Sequence, residues 1–230
     1  MAPVTRPLPV VTLADLCGNC TELLVLAPHP DDETLGCGGL IAEAAALGVP
    51  VQVISVTDGE ACYADDPAWP PERARAVRRQ ELCNAVAALG LRPSAVVTLD
   101  LGDGRVEAGE ATLIASITPH LRADDTVLAT WRFDGHPDHE ATGRAARAAA
   151  AAAGARMLEY PVWAWHWLDP EAGDPRLEGA VAWRLSASAR AAKRTALQAF
   201  VSQRTRDGGA PILPDRVLAR FERDFEVVLP

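Results

Sequence analysis

The chain has no apolar run approaching the roughly 20 residues that a membrane-spanning helix needs. Its opening, MAPVTRPLPVVTLADLCGNC, has Pro and Asp where an export signal would need an apolar stretch. Positive charge is outnumbered: 22 Lys and Arg against 31 Asp and Glu leave a net charge of -9, which disfavours a nucleic acid or an anionic membrane surface as partner. Five cysteines, an odd number without an export signal, argue for reduced thiols rather than a disulfide framework. Cys17 and Cys20 form a C-x-x-C, but it precedes the first strand and has no second pair, so it reads as incidental. There is no internal repeat, low-complexity linker or composition break. At 230 residues and 49% hydrophobic, the chain suits one α/β domain over 1–230 and is too short for two ordinary ones. The expectation is a cytoplasmic enzyme acting on a small molecule, with homo-oligomerisation left open.

What is present is an alternation of strands and helices. Apolar runs at Leu23 to Ala27, Val51 to Val56, Ala95 to Leu101, Thr126 to Ala129 and Met157 to Tyr160 alternate with helical patterns at Leu35 to Leu47, Pro70 to Leu89, Ala108 to Leu121 and Ala141 to Ala153. Continuous β-branched runs suit strands buried on both faces. Short connections between such elements give a mostly parallel sheet with right-handed crossovers, a Rossmann-like three-layer αβα fold. The helix from Ala141 is nearly all Ala and Arg, for which propensity alone is a sufficient reason. Val181 to Leu185 reads as an edge strand, and the tail as a loop from Asp207, a helix around Val217 to Arg223 and an extended end.

Two loops carry chemistry. His29-Pro30-Asp31-Asp32-Glu33 follows the first strand, where ligands sit in open parallel sheets. An acidic helix cap with a polar loop His would also account for it. Trp131-Arg132-Phe133-Asp134-Gly135-His136-Pro137-Asp138-His139 again follows a strand and precedes a helix. Three of the five His in the chain fall in these two loops, which packing does not explain. A catalytic zinc takes three protein ligands from imidazole and carboxylate and keeps one position open. His29, Asp32 and His139 would supply that set.

HPDDE followed about a hundred residues later by HPDH resembles the PIG-L/LmbE family of zinc-dependent N-deacetylases, whose members remove acetyl groups from N-acetylglucosamine units. The resemblance covers about residues 23–203. It implies His29, Asp32 and His139 as ligands of one zinc, Asp31 as general base, and His136, in its protonated form, as a stabiliser of the oxyanion. Arg78 and Glu81 match the family's R-x-x-E, where the Arg reaches substrate hydroxyls. Lys193 and Ser202-Gln203 match its K…SQ ending, although Phe200-Val201 stands where many members have a His. The loop of Asp58 is implied at the border of the substrate site, against a plain Asp-Gly turn. Trp163, Trp165 and Trp167 lie at period two, so an extended segment would present them on one face. With His166 they suggest a platform for an amino sugar, or alternatively a packing stripe. Cys37 lies near enough to the proposed metal to be kept in view.

Two rivals differ in kind. Gly36-x-Gly38-Gly39 after a strand hints at a nucleotide-binding Rossmann module, but the spacing departs from G-x-G-x-x-G and three acids would repel a pyrophosphate. A zinc amidase cleaving a larger acyl or thiol-conjugate amide would use the same residues. The expected reaction is hydrolysis of the N-acetyl amide of an amino-sugar conjugate.

Overall fold

A computed structural model of the chain describes residues 8–18, 20–169, 174–206 and 209–230. The first seven residues, Asn19 of the C-x-x-C and Asp207–Gly208 of the expected tail loop lie outside the described residues. In order, the elements are β1 (Val10–Val11), α1 (Leu13–Cys17), β2 (Leu23–Ala27), α2 (Asp32–Ala46), β3 (Val51–Ser55), α3 (Pro71–Ala88), β4 (Val96–Thr98), α4 (Glu110–Ile117), β5 (Thr126–Thr130), α5 (Pro137–Ala153) and β6 (Arg156–Tyr160). They are followed by β7 (Val181–Arg184), α6 (Ala187–Leu197), α7 (Val201–Arg204), α8 (Asp215–Leu218) and β8 (Phe225–Val228). Five strands form a parallel sheet in the order β4-β3-β2-β5-β6.

Alternation along β2 explains the layers. Leu23 and Val25 face one way, into a core with Leu35, Leu40, Leu82, Val86 and Phe200. Leu24 and Leu26 face the other way, onto Leu113, Ile117 and the alanines of α5. All five β2 residues are buried, so each face needs its own helical cover, and the α/β expectation holds. Propensity proves to be only part of the reason for the alanines. Ala141, Ala145, Ala146, Ala149 and Ala150 are fully buried against the sheet and α4, where small side chains let the helix approach closely.

The edge strand expected at Val181 belongs instead to a second sheet of three strands, β1-β7-β8, whose β7–β8 pair is antiparallel. This sheet has a specific use. α2 breaks at Cys37 (φ -142°, ψ 22°), and a break inside a helix orphans backbone groups. Glu226 of β8 accepts the amides of Gly39 and Leu40 at 2.8 and 2.9 Å, capping the second half of the helix. Lys193 of α6 donates to Leu35 O at 2.8 Å and to Glu226 at 2.7 Å, so the buried ions are paired and hydrogen-bonded. The glycines of the nucleotide-like pattern also serve packing. A Cβ at Gly36 would meet Tyr160 Cδ2 at 2.1 Å, and one at Gly39 would meet Leu185 Cδ2 at 2.4 Å.

Candidate active site

The strand order reverses between β2 and β5, the switch point where open α/β sheets bind ligands. Both chemistry-bearing loops leave the sheet there. His29 Nδ1 lies 3.3 Å from Asp32 Oδ2 and 3.3 Å from His139 Nε2, and the third side, His139 Nε2 to Asp32 Oδ2, is 3.4 Å. Tetrahedral ligands on zinc bonds of ~2.0–2.1 Å stand about 3.3–3.4 Å apart, so this nearly equilateral triangle fits such an ion with its fourth position open. The three expected ligands therefore do form one group able to hold a metal.

Carboxylates fix the two rings. His139 Nδ1 is 2.7 Å from Asp134 Oδ2, and Asp134 also accepts the amides of Val162, Trp163 and Ala164 at 3.0, 2.7 and 2.9 Å. His29 Nε2 lies 3.1 Å from Asp103 and 3.3 Å from Asp138, which in turn accepts the amides of Gly104 and Val106. A His that donates from one nitrogen presents the lone pair of the other, so these acids set both tautomers for metal binding. Burial would favour neutral rings and protonated acids. Against it, the three acids raise His29 well above the usual imidazole value, while His139 and His29 hold Asp32 down to about 2. Sequence reasoning missed Asp134, Asp103 and Asp138 as partners. The only signal was their place, each at a strand-end loop or within the HPDH turn.

Asp31 is buried and opens α2 with φ 147°, a conformation that L-residues rarely adopt. Its pKa is raised well above the ordinary carboxylate range, first by burial and then by Asp32, and the Arg78 guanidinium 3.9 Å away pulls it partly back. Its amide donates to Glu33 at 3.1 Å. His136 is the N-cap of α5, with Nδ1 accepting the Asp138 amide at 3.2 Å. That bond requires an unprotonated Nδ1, and burial together with His139 and His29 pushes the ring down to about 4. This environment therefore favours a neutral ring with its proton on Nε2 over the expected imidazolium.

His29, Asp31, Asp32, Asp103, His136 and His139 line a cavity of about 670 Å³, a size suited to a small-molecule conjugate. Trp163 and His166 are on its wall, but not by the expected route. Residues Trp163–His166 form a 3-10 turn, so positions three apart share a face, with rings 4.7 Å apart. Trp165 turns away from the cavity, where Arg223 covers its ring at 4.0 Å, and Trp167 stacks on Trp131. Asp58 is also corrected. It is fully buried, holds Arg79 through two bonds of 2.7 and 2.6 Å and Arg75 at 3.1 Å, and does not reach the cavity. Arg78 lines the cavity, and two of its donors go to Gly59 O at 2.9 Å and Pro30 O at 3.1 Å, so it also braces the loop, while its buried Nε has no partner among the described residues. Cys37 is buried, donates to Glu33 O and takes no part in the metal group. Ala61, Cys62 and Val162 add to the wall, and the tail supplies a further side of it: Pro211 to Pro214, Arg216, Val217, Arg220 and Phe221.

Comparison with known proteins agrees with this geometry. A probable N-acetyl-alpha-D-glucosaminyl L-malate deacetylase 2 of Bacillus subtilis is 33% identical over 131 residues, 54% of this chain and 58% of the relative. A 1D-myo-inositol 2-acetamido-2-deoxy-alpha-D-glucopyranoside deacetylase of Rhodococcus jostii is 34% identical over 165 residues, 61% of this chain and 56% of the relative. The chain thus spans somewhat over half the length of these relatives. The crystal structure of the A40926 pseudoaglycone deacetylase Dbv21 matches with a TM-score of 0.61 and 25% identity, covering 78% of this chain and 81% of that one. The family model described as PIG-L, GlcNAc-PI de-N-acetylase, matches residues 24–150, more than half of the sequence and both chemistry-bearing loops, and the chain belongs to that family.

Proposed function

We propose that this protein is a zinc-dependent hydrolase that removes the acetyl group from an N-acetylated amino sugar carried on a small conjugate. The observation that carries the reading is the His29, Asp32 and His139 triangle, at zinc spacing, beside the buried and strained carboxylate of Asp31. Relatives and structural neighbours named as deacetylases support it. Free thiols at all five cysteines suit a reducing cytoplasm.

Zinc held by those three residues would supply a Lewis acid for the amide carbonyl and would acidify a bound water towards neutrality. The other roles fall to the chain. Asp31 takes the proton of the attacking water and delivers it to the departing amine, which leaves acetic acid, free amine and the Asp31 carboxylate restored. At neutral pH the acid then gives its proton to the amine, so the products are acetate and ammonium. A raised pKa suits this double duty, and Asp31 beside a dication held by His29, Asp32 and His139 would be favoured in its ionised form. His136 offers Nε2–H to the carbonyl oxygen as negative charge develops there, and as a neutral donor it keeps that proton throughout. Trp163 gives an apolar face for the sugar ring.

The test is amine release from N-acetylglucosaminyl conjugates by zinc-loaded and chelated protein. Chelator-sensitive release that is lost in Asp31→Asn, with zinc content unchanged, is the expected result. Full turnover by Asp31→Asn would remove Asp31 from the role of base.

A further inference from the structure

The tail builds one wall of the cavity, and it brings positive charge there. Among the described residues nine of twenty arginines pair with carboxylates, among them Arg75, Arg79, Arg144 and Arg206. Arg216 and Arg220 both line the cavity, four residues apart, and neither has a carboxylate within ion-pair distance among the described residues. The polar side-chain contact of Arg220 is with another cavity residue, His166, whose Nδ1 lies 3.3 Å from the guanidinium. Two like charges on one cavity wall raise the positive potential there and favour an anionic group on a bound molecule. Guanidinium forks match carboxylate and phosphate oxygens geometrically.

The position is specific as well. From His136 the wall passes to Trp163 with rings 5.7 Å apart, and from Trp163 to His166 with rings 4.7 Å apart, and Arg220 follows. A sugar whose acetamide carbonyl meets His136 would lie along Trp163 and present its next group to the arginines. We propose that Arg216 and Arg220 form an anion subsite for the group beyond the sugar, so that the preferred conjugate carries a carboxylate or a phosphate there. This rests on the deacetylation reading above. It goes further by naming the charge of the substrate and two residues that select it, both outside the region matched by the family model.

The experiment compares three N-acetylglucosaminides on zinc-loaded protein: the methyl glycoside, the malate glycoside and the 1-phosphate. The wild type is expected to prefer at least one anion over the methyl glycoside by roughly 10- to 100-fold in kcat/KM, the range for a charge-assisted hydrogen bond. Which anion wins distinguishes carboxylate from phosphate. That anion-to-neutral ratio falls by a similar factor in Arg216→Ala and in Arg220→Ala, and Arg220→Lys recovers part of it. A wild-type ratio near one, or a ratio unchanged in both variants, overturns the subsite. Release of amine from none of the three would sink the deacetylation reading instead. The subsite then has its own readout, calorimetric binding of malate and of inorganic phosphate to wild type and to the Arg216→Ala, Arg220→Ala double variant. Weaker binding to the double variant supports it, and equal binding overturns it.

Discussion

Replacing Asp134 by Asn isolates the support of the metal site from its ligands. Asp134 is fully buried and uses two oxygens for four donors: Oδ2 takes His139 Nδ1 and the Trp163 amide, each at 2.7 Å, and Oδ1 takes the Val162 and Ala164 amides at 3.0 and 2.9 Å. Asn keeps one acceptor oxygen and turns an NH2 towards two groups that are themselves donors. With the NH2 at the Oδ1 position two buried amides lose their acceptor, and at the Oδ2 position the Trp163 amide does, together with the His139 bond in its present sense. At about 1–3 kcal/mol for each buried group left unsatisfied, the cost is roughly 1–6 kcal/mol according to the orientation, against a total of about 5–15 kcal/mol for a typical domain. If the NH2 faces His139, the ring must accept at Nδ1 and carry its proton on Nε2, the atom needed for the metal. Zinc affinity should then fall about 10- to 100-fold or more. Urea unfolding followed by Trp fluorescence measures the first effect, and competition with a chromophoric chelator measures the second. At fixed free zinc, a 100-fold loss of affinity also removes about 2.7 kcal/mol of zinc-linked stability. A variant with zinc affinity within twofold of wild type and an unchanged urea midpoint would falsify the assignment of Asp134 as the group that orients His139.

Three further perturbations test other parts of the structure. In Arg78→Met the cation that lowers the Asp31 pKa is gone. With Asp31 as the proposed base, activity is lost as pH falls through its pKa, so the acid limb of kcat/KM should move to higher pH, and a limb that stays put or moves down would contradict the pairing. In Lys193→Met the buried Glu226 carboxylate loses its counter-charge at 2.7 Å, which should cost about 3–5 kcal/mol in urea unfolding while zinc stoichiometry holds at one. A loss below about 1 kcal/mol would mean that the pair is not the clasp across the α2 break. In Gly36→Ala the new methyl would stand 2.1 Å from the ring of Tyr160, whose hydroxyl is tied to Leu26 O at 2.7 Å. Overpacking should cost about 1–3 kcal/mol, and a neutral change would mean that Tyr160 can move aside.

The His-Asp-His group able to hold a metal and the parallel sheet were legible because each is a local signal. A strand buried on both faces must be continuously apolar, as Leu23 to Ala27 is, and polar groups placed just beyond such a run need a reason. The Trp163 segment was not legible for the opposite reason. Over five residues, period two and period three both place aromatic side chains together, and only the Asp134 carboxylate, gathering the amides of 162–164, selects the 3-10 turn. Asp58 was misread because its partners, Arg75 and Arg79, lie a helix away, and nothing in a TDGE turn says that two guanidiniums will close over it. The second sheet joins Val10, Ala182 and Val227 across most of the chain, a register that no window of sequence encodes.

The same distance in sequence explains what the R-x-x-E and S-Q matches do here. The Pro30 carbonyl accepts from Arg78 at 3.1 Å and from Gln203 at 2.6 Å. Glu81, one turn beyond Arg78, accepts the Ser202 amide and hydroxyl at 2.6 and 2.7 Å, which fixes where Gln203 stands. The residue after Pro30 is Asp31 at φ 147°, and a strained residue of this kind, costing about 1–3 kcal/mol, persists only where its surroundings over-determine it. Held from both sides, the carbonyl cannot rotate to let Asp31 relax into an ordinary helical N-terminus. Two motif pieces more than a hundred residues apart thus converge on one peptide group. Their contribution to the reaction is the geometry of the proposed base, delivered through the backbone rather than through contact with the sugar.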